Sequence, residues 1–185
     1  MVNDNVVLTT DWHLGHRNMR LDSYEGRPVG YEDLIFSNLV TSLHPGDTLI
    51  NLGDVGFGPN VFKLISDFLE RLKAAVNVEC VLVRGNHDGK SINFYRSCGF
   101  DDVVPSMVID NFLLTHRPRA VEDHQVNIHG HLHSGRHRAT ERSIMSDANH
   151  VLLGIENTGY RPVRLNEVFA NVVDDHGLRK IVFNN

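Results

Sequence analysis

The stretch NVVLTTDWHLGH, residues 5 to 16, joins a short apolar run typical of a buried β-strand to two potential metal ligands, Asp11 and His13. Two later stretches repeat the arrangement: DTLINLGDVG (47 to 56), which contains Asp54, and VECVLVRGNHD (78 to 88), which ends in Asn86, His87 and Asp88. Each strand therefore delivers polar groups to its carboxyl end.

Amphipathic helical patterns separate these three strands. They cover YEDLIFSNLVTSL (31 to 43), NVFKLISDFLERLKAAV (60 to 76) and the shorter SINFYRSCG (91 to 99). Alternation of strand and helix predicts a parallel sheet, and in such sheets the binding crevice lies beyond the carboxyl ends of the strands. The polar groups are thus predicted to meet in one crevice. The GFG segment at 56 to 58 lacks the lysine of a phosphate-binding loop and predicts only a turn.

The second half of the chain predicts a further, mixed sheet packed on the first, because its apolar runs are more closely spaced. These runs are DVVPSMVI (102 to 109), FLLTH (112 to 116), QVNIHG (125 to 130) and HVLLGIEN (150 to 157), followed by one helical pattern near 165 to 174. His116 ends one run, and His131 and His133 follow another. Since alternate residues of an extended chain point the same way, we expect His131 and His133 to aim their imidazoles at one point.

Composition and charge narrow the class of protein. The chain has 185 residues, 41% apolar and 22% charged, which predicts a single globular domain over residues 1 to 185. A net charge of -5 and a pI near 6.1 favour a small phosphorylated substrate over a long nucleic acid. The basic stretch SGRHRATER (134 to 142) nevertheless leaves nucleic acid open as a partner.

Cysteine usage and apolar runs indicate the compartment. Cys80 and Cys98 form no recognisable disulfide framework, which suits reducing surroundings. No signal peptide pattern and no apolar run of about 20 residues is present, so we expect a cytoplasmic protein without membrane contact. The oligomeric state is not indicated by the sequence.

The polar groups at the strand ends form a ligand set without thiolates. Its members are Asp11, His13, Asp54, Asn86, His116, His131 and His133. Carboxylate, amide and imidazole ligands suit manganese, iron or zinc at a catalytic site better than a closed structural zinc. Seven ligands exceed the need of one ion but suffice for two ions about 3.5 to 4 Å apart, an arrangement used for in-line attack on phosphorus.

The order DxH, GD, GNHD, H and GHxH resembles the calcineurin-like metallophosphoesterases, over roughly residues 7 to 133, and the chain is similar to the compact bacterial and phage members. The resemblance implies an α/β fold, a two-sheet β-sandwich flanked by helices in four α/β/β/α layers. It also implies two divalent metal ions, manganese first, with iron, zinc, nickel or cobalt as alternatives. One ion would be held by Asp11, His13, Asp54 and His133, and the other by Asp54, Asn86, His116 and His131.

The same resemblance implies an enzyme that hydrolyses a small phosphodiester or phosphomonoester, a nucleotide included, by in-line attack of a metal-bridging hydroxide. His87 would be the general acid, and Asp88 would orient its imidazole. Substrate-binding residues are predicted near the ligand blocks: Asn86, Arg117, His16 and Arg27. The alternatives are a nuclease or a protein phosphatase on the same scaffold, or a non-catalytic interaction module. Bacterial or phage-infected cells would be the setting.

Overall fold

Strands form at the predicted apolar runs in the structure, a computed structural model that describes residues 4–20, 26–135, 149–175 and 177–183. Within these ranges the strands are β1 (Val6–Thr9), β2 (Thr48–Asn51), β3 (Glu79–Val83), β4 (Asp102–Val104), β5 (Met107–Ile109), β6 (Phe112–Thr115), β7 (Val126–His129), β8 (His150–Leu152), β9 (Val163–Arg164), β10 (Val172–Asp175) and β11 (Leu178–Ile181). The α-helices are α1 (Tyr31–Ser42), α2 (Val61–Val76) and α3 (Ile92–Ser97), and short 3₁₀ helices cover Arg17–Arg20 and Leu165–Asn171.

The first sheet has the strand order β4-β3-β2-β1-β9. Strands β1 to β4 are parallel, and β9 adds an antiparallel edge next to β1. The helices α1, α2 and α3 lie between these strands in sequence, which confirms the predicted parallel sheet with helical crossovers. Because the strands are parallel, β1, β2 and β3 all end at the same edge of the sheet.

The second sheet has the order β10-β11-β8-β7-β6-β5 and is mixed, as predicted. Its central strands β6, β7, β8 and β11 are parallel, whereas β5 and β10 are antiparallel partners at the two edges.

Side chains of the first sheet alternate between two apolar cores. Val7 belongs to a core with helix residues such as Ile35 and Leu69, while its neighbour Leu8 belongs to a core with Ile128 of the second sheet. This period-two alternation follows from strand geometry, and both faces of the first sheet are buried. The predicted two-sheet sandwich with flanking helices is therefore confirmed.

Two predicted elements differ in the structure. The run DVVPSMVI is interrupted at Pro105, which cannot donate a ladder hydrogen bond, so that β4 pairs with β3 in the first sheet and β5 with β6 in the second. The helix predicted near 165 to 174 is wrong in its second part: the 3₁₀ helix ends at Asn171 and β10 follows. Two adjacent β-branched valines favour the strand there, where β10 and β11 form a hairpin.

The basic stretch at 134 to 142 lies outside the described residues from position 136 onward. In the ranges that the structure covers, no helix combines the length and apolar character needed to cross a bilayer.

A buried ion pair fixes the start of β2 to β9. Asp47 is 4% exposed and accepts hydrogen bonds from Arg164 Nη2 at 2.9 Å and from the backbone N–H of His44 at 2.8 Å. Burial alone would raise the pKa of Asp47, but the bonds from Arg164 and His44 outweigh it and lower that pKa. A carboxyl with a lowered pKa stabilises the fold above its unfolded pKa of about 4, and this contribution is lost as the pH falls through the folded value.

Replacing Asp47 with asparagine is therefore expected to lower the free energy of unfolding by about 1–3 kcal/mol at neutral pH. The loss should shrink in acid, where the wild-type carboxyl is itself protonated. Urea unfolding at neutral and acidic pH measures both values. Asp67→Asn is the control, because Asp67 pairs with Lys63 on an exposed face of α2 and should change little. A pH-independent loss would contradict the electrostatic origin.

Candidate metal centre

The turns after β1, β2, β3 and β7 contact one another at the carboxyl-end edge of the sandwich. The backbone N–H of Asp11 donates to Gly53 O at 2.9 Å, and the N–H of His13 donates to Asp54 O at 2.9 Å. From the second sheet, the N–H of His131 donates to the Asp11 carboxylate at 3.0 Å. The predicted crevice thus receives residues from both sheets.

Five of the seven predicted ligands have a positive φ. These are Asp11 (49°), His13 (48°), Asp54 (57°), His131 (69°) and His133 (51°). The left-handed conformation is unfavourable for residues other than glycine, and strain of this kind costs about 1–3 kcal/mol each. Five strained backbone conformations at predicted ligands indicate that these turns are shaped to direct the ligand side chains, at the cost of an unfavourable backbone conformation.

The expected common aim of His131 and His133 is wrong. Strand β7 ends at His129, and both imidazoles sit on turns with positive φ rather than on an extended chain. As a result they enter two different groups of ligand atoms. The two alternate histidines therefore contribute one imidazole to each of two candidate ligand groups.

The first group of ligand atoms comprises Asp11, His13 and His133, all buried. Asp11 Oδ1 lies 3.7 Å from His13 Nε2 and 3.9 Å from His133 Nε2. The three atoms lie within 4.8 Å of one another, so a single cation can contact all of them.

The second group comprises Asp54, His116 and His131, which are also buried. His116 Nε2 lies 3.3 Å from Asp54 Oδ2 and 3.1 Å from His131 Nδ1. Asn86 adds its amide oxygen, 3.0 Å from the same His116 nitrogen. Carboxylate, imidazole and amide atoms therefore converge a second time.

Asp54 joins the two groups. Its Oδ2 lies 3.3 Å from His116 Nε2 in the second group and 3.8 Å from His13 Nε2 in the first. Its Oδ1 accepts the backbone N–H of His87 at 2.8 Å, which holds the carboxylate in this orientation. One carboxylate oxygen thus faces both positions.

The polar atoms of the first group fit a metal ion. Among the described residues, Asp11 Oδ1 and both ring nitrogens of His13 are buried without a hydrogen-bond partner. Unpaired buried polar groups are costly, and a cation contacting Asp11 Oδ1 and His13 Nε2 would satisfy both. On the outer side, His116 Nδ1 faces Leu52 O at 2.8 Å, as expected for an imidazole that donates one proton outward and offers Nε2 to a metal.

The electrostatics of the centre favour positive charge. Burial alone would lower the pKa of His116, but the carboxylates of Asp54 and Asp11 outweigh it and raise that pKa to about 9. Burial alone would raise the pKa of Asp11, yet His133 and His13 hold it well below its usual value. For His13, burial dominates and lowers the pKa, which leaves the neutral imidazole that metals bind.

Comparison with known proteins places this centre in a family. The model of the family described as calcineurin-like phosphoesterase matches residues 5–183, almost the whole chain. The chain belongs to the calcineurin-like phosphoesterases. It is therefore a metal-dependent hydrolase of phosphoester bonds, as predicted. No functionally curated protein matches the sequence.

Two solved structures are similar to this calcineurin-like phosphoesterase. A protein of unknown function from Aquifex aeolicus has a TM-score of 0.68 and 25% sequence identity, over 89% of this chain and 97% of the other. The nuclease MPE of Pseudomonas putida has a TM-score of 0.51 and 24% identity, over 70% of this chain and 62% of its own. At this identity, the likeness to the nuclease supports the fold alone.

His87 lies at the rim of the metal centre. About 35% of its side chain is exposed, its Nε2 is 3.9 Å from Asp54 Oδ2, and its ring centroid is 5.5 Å from that of His13. The imidazole is thus open to a substrate and adjacent to both ligand groups.

Asp88 is placed differently from the expectation that it orients the His87 ring. Its carboxylate accepts backbone N–H bonds from Asp54 at 2.7 Å, Gly85 at 2.8 Å and Val55 at 3.1 Å. Asp88 therefore ties the turn after β3 to the turn after β2, and it positions Asp54 rather than the imidazole.

Arg27 was expected to bind substrate, but the structure corrects this expectation. The residue is only 2% exposed, and its guanidinium donates to Asp11 O at 2.9 Å, Trp12 O at 3.2 Å and Glu156 Oε1 at 2.9 Å. A guanidinium enclosed in this way cannot clamp a phosphate from solvent. Arg27 instead supports the turn that carries Asp11 from behind.

Glu156 is a site residue that the sequence interpretation missed. Its Oε1 lies 3.1 Å from His133 Nδ1, on the side of the ring opposite the ligand atom. Burial alone would raise the pKa of Glu156, but Arg27 and His133 outweigh it and lower that pKa to about 2. The one signal in the sequence was an acidic residue directly after the apolar run HVLLGI.

Replacing Glu156 with glutamine is expected to weaken metal binding at the first group about 10–100-fold, since carboxylates behind a ligating histidine have effects of this size. Titration of the metal-free protein with Mn²⁺ measures the affinity. Glu122→Gln is a matched control, because Glu122 also pairs with a histidine, His124, but on an exposed surface. Equal affinities of the Glu156 variant and the wild type would contradict this role.

The remaining predicted substrate contacts lie around the opening. His16 is half-buried with its ring centroid 5.4 Å from that of His13, and burial lowers its pKa to about 4. Arg117 is exposed, and its Nη2 lies 3.5 Å from the Asn86 amide oxygen. Arg117 also lines a cavity of about 220 Å³ with Arg84 and Arg119. His16 beside the first ligand group and Arg117 beside the second are thus both placed where a substrate at the metal centre could reach them.

Proposed function

We propose that the protein hydrolyses a small phosphodiester or phosphomonoester, with nucleotides among the candidate substrates, using two divalent metal ions. The observation that carries the proposal is the position of Asp54 Oδ2, which faces His13 Nε2 at 3.8 Å and His116 Nε2 at 3.3 Å. A carboxylate oxygen between two buried ligand groups suits a shared ligand. Manganese is proposed as the first ion to test, and the same carboxylate, amide and imidazole ligands without a thiolate also suit iron and zinc.

Two bound ions would neutralise charge on the phosphoryl oxygens and make a water molecule acidic enough to attack phosphorus at neutral pH. The protein's own residues do the rest. We assign to His87 the proton that the departing alkoxide needs, because its imidazole borders both ligand groups and remains open to solvent. Asn86 and Arg117 would orient the non-bridging oxygens from the side of the second group.

Hydrolysis of two nitrophenyl esters tests the proposal. Metal-free protein is compared with Mn²⁺-loaded protein on p-nitrophenyl phosphate and bis-p-nitrophenyl phosphate, and bound metal is counted by elemental analysis. Turnover that depends on manganese, with two ions per chain, is the expected result. No turnover of either ester would overturn the proposed substrate class, and turnover with fewer than two ions per chain would overturn the two-metal part of the proposal.

A nuclease is the second candidate, and the cavity with Arg84, Arg117 and Arg119 beside Asn86 is the observation that favours it. Contacts with several backbone phosphates would make the KM for a polynucleotide rise steeply with salt, whereas a single nucleotide would respond weakly. Measurement of KM for both at several salt concentrations separates the two functions.

A further inference from the structure

Phe57 lies beside the metal centre with its ring turned to solvent. The residue is 45% exposed, although aromatic side chains contribute most when buried. Its ring centroid is 5.6 Å from that of His87 and 4.6 Å from that of His16, and both contacts are edge-on. The ring of Phe57 therefore lies next to the imidazole of the proposed proton donor.

The backbone around Phe57 imposes this exposure. The N–H of Phe57 donates to Leu14 O at 2.9 Å, and Gly56 forms a parallel bridge with Leu14. Gly56 also packs so closely on α2 that a Cβ there would lie 3.0 Å from Val61. The backbone of this turn is thus fixed against the strand-end loop that contains Leu14 and against α2, and the side chain of Phe57 projects from a fixed position.

A cavity of about 630 Å³ opens next to this ring. Phe57, His16 and Leu64 contribute apolar and aromatic surface to it, and four polar side chains also line it: Arg17, Asn18, Glu32 and Asn60. An exposed aromatic side chain beside several polar side chains suits a planar ring that carries hydrogen-bonding groups on its edge. Nucleobases have this character, whereas simple alkyl groups do not.

We propose that the exposed ring of Phe57, with the His16 ring packed perpendicular to it, is the binding platform for the leaving group, and that this leaving group is a nucleoside whose base stacks on Phe57 in the cavity. The inference rests on the proposed function and names the substrate class. Water adds to phosphorus, the bond from phosphorus to the nucleoside oxygen breaks, and that oxygen takes the proton from His87. Because Phe57 contacts His87, the sugar and base that leave with this oxygen lie over the platform.

Two diesters that differ in the leaving group test the platform. Thymidylyl-(3′→5′)-thymidine releases a nucleoside whichever of its two phosphoester bonds is cleaved, whereas dimethyl phosphate, the methyl ester used for comparison, can release only methanol. Phe57→Ala is expected to lower kcat/KM for the dinucleotide about 10–100-fold, the size of one lost base stack, and to change the methyl ester little. Phe57→Trp should retain the preference.

Phe62→Ala is the matched control. Phe62 is 46% exposed and packs against Phe94, but it does not line the cavity. This variant should keep the wild-type ratio of the two substrates. Equal losses on both substrates in Phe57→Ala would overturn the inference, since Phe57 would then only support His87.

A binding experiment gives a readout that needs no turnover. Fluorescence of 2-aminopurine deoxyriboside monophosphate falls when its base stacks, so wild-type protein should quench it and Phe57→Ala should not. Absence of quenching by wild type would overturn the inference. If the nitrophenyl esters are not hydrolysed but quenching depends on Phe57, the proposed function fails while the platform stands.

Faster cleavage of a thymidine octamer than of the dinucleotide would identify a strand end as the source, and equal rates would identify a free dinucleotide; both results support the platform.

Discussion

Replacing Asp54 with asparagine is expected to reduce phosphoesterase activity by more than about 10³-fold, because effects of about 10–100-fold already follow from changes behind a ligand. The amide has nearly the shape of the carboxylate and keeps an oxygen that can accept the His87 N–H, now 2.8 Å from Asp54 Oδ1. It replaces the other oxygen, which faces both ligand groups, with a nitrogen that has no lone pair for a metal. Elemental analysis should therefore find fewer than two ions per chain.

Asp67→Asn is the control for this experiment, since Asp67 lies on the exposed face of α2 and pairs only with Lys63 among the contacts described for it. It should retain two ions and full activity. An Asp54 variant that still binds two ions and turns over at near wild-type rate would show that the two groups do not share this carboxylate.

Replacing His87 with alanine is expected to lower kcat by about 10²–10⁴-fold for esters with alkoxide leaving groups, the usual size of a general-acid contribution. The loss should be much smaller for p-nitrophenyl esters, because p-nitrophenolate leaves without a proton. The backbone N–H of His87 still donates to Asp54 in the variant, so the ligand geometry is preserved. Rates with a methyl ester and a p-nitrophenyl ester give the comparison.

His124→Ala controls for the loss of an imidazole, because about 72% of the His124 side chain is exposed. It should affect neither ester. If His87→Ala slowed both esters to the same extent, His87 would support the centre without transferring a proton.

The sequence predicts the first sheet well because each of its buried strands is visible as a short, continuous apolar run. Runs such as VLV in β3 are apolar on both faces, and helices of matching length separate them. It fails around Pro105, where Val103 and Val108 are similar residues on strands of different sheets. Local pattern gives the existence of a strand, whereas the choice of hydrogen-bond partner depends on residues far away in the chain.

The same distinction separates the parts of the site. The seven expected ligands lie within four residues of the end of a strand, and parallel topology brings such positions together at one edge of a sheet. The pair of Arg27 and Glu156 spans 129 positions, and no local sequence pattern indicates it, so the sequence predicts Arg27 as a substrate-binding residue. The folded structure alone shows that Arg27 contacts the backbone of the ligand Asp11 and the carboxylate of Glu156.

Each ligand group draws on both sheets: Asp11 and His13 come from the first and His133 from the second, while Asp54 comes from the first and His116 and His131 from the second. Neither sheet alone therefore provides all the ligands of either group. Ions bound there would link the two sheets, and the free energy of metal binding would add to the free energy of unfolding of the whole protein. Any fluctuation that parts the sheets would open both pockets at once, so catalytic competence and structural integrity are lost together.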